Sequence, residues 1–168
     1  MIILAIDSGV ERTGYSIFDK SKNYKEGYKY ITSGLIKTLK TALPQERLKT
    51  IYDSLEKTID SYKVRAFVIE QLFFFKNQKT VIGVSQAQGA VMLLAAQRKI
   101  SVEFLTPLQI KQIVTGYGQS DKISVQKMLK LQLHLNGELK QDDQADAIAC
   151  GLAYCCMNES LSKLPISN

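Results

Sequence analysis

Histidine is almost absent from this 168-residue chain, with His134 standing alone. A zinc site built on several His ligands is therefore excluded. Ser-His-Asp catalysis would rest on that one residue, which lies in the apolar helical pattern LKLQLHL. Cysteine is scarce as well. Cys150, Cys155 and Cys156 fall in one stretch, CGLAYCC, at neither CxxC nor disulfide-framework spacing. They are expected to be small buried residues in a reducing compartment. Only Pro44, Pro107 and Pro165 occur, so there is no Pro-rich linker. No apolar run approaches the roughly 20 residues of a membrane helix. Asp7 interrupts the opening MIILAID too early for a signal peptide. The expectation is a cytoplasmic protein that does not associate with membranes.

The positive charge has a location. The chain carries 22 Lys and Arg against 16 Asp and Glu, a net charge of +6. Residues 1–19 hold one base and three acids, and residues 141–168 one base and four acids. Residues 20–65, by contrast, hold eleven bases against five acids. A basic middle between acidic ends suits a polyanionic partner.

The hydrophobic pattern changes period along the chain. Residues 1–6 form a short apolar run, and TGYSIFD and YKYITSGLI are rich in aromatic and β-branched residues. The three predict an antiparallel meander. Leu48, Ile51, Leu55, Ile59 and Tyr62 then recur at spacings of three and four, which predicts a helix over 44–62 with Pro44 in its first turn. AFVI reads as a short apolar strand and SVEFL as a further strand. Between them, 79–98 predicts a helix that is apolar on more than one side, either central in the core or at a subunit interface. Thr106-Pro107 predicts an N-cap and a helix to about Gly116. Ser120 or Asp121 is expected to cap a helix to about Leu133, and the last helix is expected over 143–157. The fold class is α/β, a mixed sheet flanked by helices. Residues 1–157 read as one domain, and 158–168 as a flexible polar tail.

Four acids stand out by position. Asp7 ends the first strand, Glu70 ends the AFVIE strand, and Asp143 and Asp146 sit three apart in the last helix. Strand ends in an open sheet are where ligands bind. Carboxylates gathered without His or Cys favour a hard divalent cation, Mg²⁺ or Mn²⁺. Two such ions can activate a water and stabilise the leaving oxygen in phosphodiester cleavage. From DDQAD alone, Asp142 competes with Asp143.

These motifs together resemble the RuvC family of Holliday junction resolvases. AIDSGVERTGYS resembles the family's first Asp motif, and VIEQLFFFKN its Glu-Gln motif. SQAQGAVMLLAAQ is similar to its central helix, IKQIVTGYGQSDKISVQKML to its Lys-rich DNA-binding segment, and DDQADAIACGLAY to its closing acidic helix. The five are collinear over residues 1–157. Two departures are Ser8, where the family commonly has Pro, and CGLAYCC, where it often carries a His.

The resemblance implies a ribonuclease-H-like fold with a five-stranded sheet. It implies a homodimer that nicks opposed strands of a four-way DNA junction in recombination and repair, leaving 5′-phosphate ends. It makes Asp7, Glu70, Asp143 and Asp146 the catalytic metal ligands, holding two ions, with Asp143 preferred to Asp142 by the D-x-x-D spacing. Lys111 and Lys122 match lysines that face DNA phosphates, where an ammonium stabilises developing charge. Lys127 and Lys130 are candidate backbone contacts. Phe73 matches an aromatic near the junction centre. Stacking on an unpaired base there is worth about 1–3 kcal/mol. Phe74, Lys76 and Lys79 extend that surface, and Gly116, Tyr117 and Gly118 form a loop that lets backbone approach phosphate. A branch-migration motor is the partner the family suggests.

Three rival functions share parts of this pattern. A ribonuclease-H-like nuclease acting on RNA would carry the same carboxylates. A non-catalytic junction-binding module would gain nothing from acids that repel phosphate. A sugar-kinase-like phosphotransferase needs a second domain, for which 168 residues leave no space.

Overall fold

The structure is a computed structural model. It describes residues 1–71, 78–136, 139 and 141–157, the side chains of 78–80 excepted. The strands are β1 (Ile2–Asp7), β2 (Arg12–Lys20), β3 (Tyr28–Lys37), β4 (Ala66–Glu70) and β5 (Ser101–Leu105). The helices are α1 (Pro44–Tyr62), α2 (Gln78–Arg98), α3 (Pro107–Thr115), α4 (Lys122–Leu133) and α5 (Asp142–Cys156). The sheet order is β3-β2-β1-β4-β5. β1, β2 and β3 pair antiparallel, whereas β1, β4 and β5 run parallel.

Each face of the sheet carries its own core. Ile3 and Ala5 of β1, Phe18 of β2 and Val68 of β4 pack with α3, α4 and α5. The alternate residues Leu4, Ile6, Ile17, Phe67 and Ile69 pack with α1 and α2. This is the two-residue period of a strand buried on both sides.

Local chemistry sets the helix ends. Thr106 Oγ1 accepts from the Gln109 N–H at 3.1 Å while Gln109 Oε1 accepts from the Thr106 N–H at 2.9 Å, a reciprocal cap for α3. Asp121, not Ser120, caps α4, its Oδ1 accepting from the Ser124 N–H at 2.7 Å. His134 ends α4 in the left-handed region at φ 50°.

Two expectations need correction. The last helix runs Asp142–Cys156, one residue earlier at each end than expected: Gln141 stands at its N-cap without a side-chain bond to mark the start, and Met157 is already extended. Cys150 and Cys155 are buried, but Cys156 is exposed. One face of α5 lies in the core, and Cys156 has turned out of it.

α5 is laid along β2 by matched repeats. A methyl group on Gly14 would collide with the Asp143 carbonyl. Ser16 Oγ donates to the Ala147 carbonyl at 2.8 Å. A methyl group on Gly151 would collide with the Phe18 ring. The helix advances by four residues for every two of the strand, roughly 6–7 Å in both cases. Gly14 pairs with Asp7 in the sheet, so the first turn of α5 arrives at the end of β1.

Candidate active site

Asp7 and Glu70 are neighbours by register. Ile6 pairs with Ile69 across the parallel strands β1 and β4, and each acid is the next residue. Alternation from Ala5 and Val68 turns both toward the α5 side of the sheet. From α5, Asp146 lines the same cleft as Glu70, while Asp143 lies against the neighbouring groove and bears on Asp7.

The charges of these groups act on one another. Burial pushes the Asp7 carboxyl up to about 8, with further rises from Glu70, Asp146 and Asp143. Burial, then Asp146, pushes Glu70 up to about 7, against the pull of Lys111 and Lys122. Burial raises Asp146 as well, with Lys122 opposing. Asp143 bears on Asp7 and pairs with Arg12, Asp142 pairs with Lys122, and both bear on Asp146.

Two cations grip the acids of α5. Lys122 Nζ lies 3.2 Å from Asp146 and 3.3 Å from Asp142. Burial works against the Lys122 charge, but the two aspartates outweigh it and raise its pKa. Arg12 Nε lies 2.8 Å from Asp143 Oδ2. That oxygen is buried and accepts no hydrogen bond, so the contact is ionic only.

A cleft of about 270 Å³ opens over the cluster, with Glu70, Lys111, Lys122 and Asp146 in its lining. Behind it, the Cys150 thiol is fully buried. Burial and the nearby Glu70 and Asp7 hold it protonated, so it offers no thiolate.

The donor set is thus oxygen only and short of positive charge, which fits a hard divalent cation. Among the described residues, no three acidic, His or Cys side chains are drawn close enough to enclose an ion. Asp143 and Asp146 are held by Arg12 and Lys122 instead.

The remaining sequence candidates divide. Gly116 has φ +80°, a turn that L side chains rarely adopt. Gly118 sits tight against Leu108. Tyr117 is exposed between them, and its hydroxyl donates to Gln119 Oε1 at 3.2 Å. Gln112 braces the loop, donating to the Gly116 carbonyl at 2.8 Å and accepting from the Gly118 N–H at 3.0 Å. Lys127 is exposed and Lys130 half-buried. Lys127 lies about 140° around α4 from Lys122, away from the cluster. Phe73, Phe74 and Lys76 lie outside the described residues, as does the side chain of Lys79.

Sequence reasoning missed Arg12 and the lysine-holding role of Asp142. Arg12 did leave a signal, being the single base among the first 19 residues.

A five-stranded mixed sheet that gathers carboxylates from two central strand ends and a closing helix defines the ribonuclease-H-like nuclease class. The family model "Crossover junction endodeoxyribonuclease RuvC" matches residues 3–154, and the chain belongs to the RuvC family. A relative of that name from Fusobacterium nucleatum is 40% identical over 164 residues, 98% of this chain and 84% of that protein. Another, from Caldicellulosiruptor saccharolyticus, is 40% identical over 161 residues, 96% of each. Among solved structures, Thermus thermophilus RuvC in complex with a Holliday junction substrate has a TM-score of 0.83 at 24% identity, covering 91% of this chain and 92% of that one. The yeast mitochondrial Holliday junction resolvase Ydc2 has a TM-score of 0.63 at 14% identity, covering 92% and 77%.

Proposed function

We propose that this chain is a divalent-metal-dependent endonuclease that resolves four-way DNA junctions by paired nicks, with residues 1–157 as its single nuclease domain. The observation that carries the proposal is the set of Asp7, Glu70, Asp143 and Asp146, half-buried and underneutralised beside two lysines.

Asp7 and Glu70 are the rigid half of the ligand set, fixed by the pairing of β1 and β4. Asp143 and Asp146 are the half delivered by α5. When bound, Mg²⁺ or Mn²⁺ (two ions in the fullest arrangement) would activate a water and offset charge on the scissile phosphate. Lys111 and Lys122 stand in the cleft wall, where an ammonium stabilises the negative charge that develops in the transition state. Lys122 reaches Asp146 through a charge-assisted bond, so it is already placed before substrate arrives. The Gly116–Gly118 loop presents Tyr117 and backbone toward the DNA. Phe73, Phe74, Lys76, Lys79, Lys127 and Lys130 would extend the contact. Cleavage on the 3′-hydroxyl side would leave 5′-phosphates that a ligase can seal.

Two copies would cut the two opposed strands. α2 packs Ala87, Val91, Leu94 and Ala95 inward. Its outward face keeps Ile82, Met92 and Leu93 exposed at 67%, 47% and 55%, with Gly89 and Ala96 among them. Phe104 of β5 is exposed as well. An isologous contact along this stripe would bury it and relate two active sites by a two-fold axis. A branch-migration motor remains the expected functional partner. Among the described residues, no helix is long and apolar enough to cross a membrane.

Asp146→Asn is the test. Cleavage of a synthetic junction should fall by roughly a thousandfold, several kcal/mol of lost stabilisation, while junction binding persists. Unchanged cleavage would contradict the proposal.

A further inference from the structure

A second groove adjoins the catalytic cluster and shares one residue with it. It measures about 500 Å³ and lies between the β1–β2 turn, the start of α1 and α2. Arg12, Arg47, Glu11 and Asp143 are in its lining.

The two arginines are held differently. Arg47 donates through Nε to Thr38 Oγ1 at 2.9 Å, and Thr38 Oγ1 donates in turn to the Val10 carbonyl at 2.6 Å. Among the described residues, no carboxylate pairs with Arg47. Its terminal amino groups are thus fixed in place with no anion to meet. A guanidinium presented this way matches the two oxygens of a phosphodiester. Arg12 is the reverse case, committed to Asp143 by an ion pair that lacks a hydrogen bond. Of the acids in the groove, Glu11 is already taken by Lys40 at 3.2 Å. Asp143 is the remaining one, and it is also a proposed metal ligand.

We infer that this groove binds a backbone phosphate of the DNA strand beside the scissile one, with Arg47 as its permanent contact and Arg12 as a conditional one. Asp143 would exchange its Arg12 partner for a divalent ion when one is bound, and the Arg12 guanidinium would then be free to meet the phosphate. Metal loading and strand binding are coupled through this exchange. The inference rests on the nuclease reading of the cluster.

The test is junction binding by fluorescence anisotropy, in EDTA and in Ca²⁺, over a range of salt. Arg47→Ala should weaken binding about tenfold in both and lower the salt slope by about 0.9, one phosphate contact. Arg12→Ala should weaken binding in Ca²⁺ only. Titration of Mn²⁺ without DNA should show several-fold tighter binding by Arg12→Ala, because Asp143 no longer has a cation to exchange. Arg47→Lys, which keeps the charge, controls for folding and should recover part of the loss. Wild-type affinity and salt slope in both alanine variants would overturn the groove while leaving the nuclease reading intact. A wild-type protein that neither binds nor cuts the junction would instead overturn the nuclease reading.

Discussion

Gly14 of β2 and Asp143 of α5 meet backbone to backbone: a Cβ on the glycine would overlap the aspartate's carbonyl. That contact brings a carboxylate from near the end of the chain onto the strand that pairs with Asp7. Gly14→Ala must push α5 away, since neither backbone can yield as a flexible side chain would. It should cost about 1–3 kcal/mol of stability by overpacking. The loss of cleavage should exceed what the unfolded fraction explains. Thermal unfolding and single-turnover cleavage on the same preparation check both.

The carboxylate cluster sets a pH dependence. Asp7 rises from 3.8 to about 8 and Glu70 from 4.5 to about 7. Between about pH 4 and pH 8 the folded, metal-free protein therefore holds more protons than the unfolded chain. Its stability must fall as pH rises through that window. Divalent ion removes the repulsion, so the gain in Tm on adding Mg²⁺ should be larger at pH 8 than at pH 5. Asp7→Asn should flatten the metal-free profile. Scanning calorimetry at several pH values, with and without Mg²⁺, decides it.

Lys122 bridges Asp142 and Asp146 at the lip of the cleft. Lys122→Ala should lower cleavage by about 100-fold or more, the usual cost of one preorganised charge-stabilising donor. Junction affinity should change only a few-fold. A variant that loses binding and cleavage in equal measure would make Lys122 a mere backbone contact.

Leu93 lies on the outward apolar stripe of α2 and is 55% exposed. Leu93→Lys should convert the proposed dimer into a monomer of the 18.8 kDa chain, seen by light scattering. Paired nicking should collapse to isolated single nicks.

Much of this was legible in the sequence where the signal was local. The helix from Pro44 to Tyr62 appears with the bounds its periodicity and proline imply. Asp7 and Glu70 were readable because an acid closing an apolar strand is conspicuous. What Asp142 and Asp143 each touch was not readable from spacing, since it depends on the angle at which α5 meets β2, and Gly14 and Ser16 set that angle from about 130 residues away. Arg12 was hidden for the same reason: its partner is distant in the chain. The outward face of α2 showed only as excess hydrophobicity, because composition does not say which side a sheet will cover. Cys156 was misjudged because adjacent cysteines point about 100° apart on a helix.

The most direct measurement is cleavage of a synthetic four-way DNA junction with Mg²⁺, beside linear duplex and an RNA–DNA hybrid, with Asp146→Asn as the control. The account predicts paired, symmetric nicks in the junction alone and none from the variant. Cutting of the hybrid, or equal cutting of linear duplex, would contradict it.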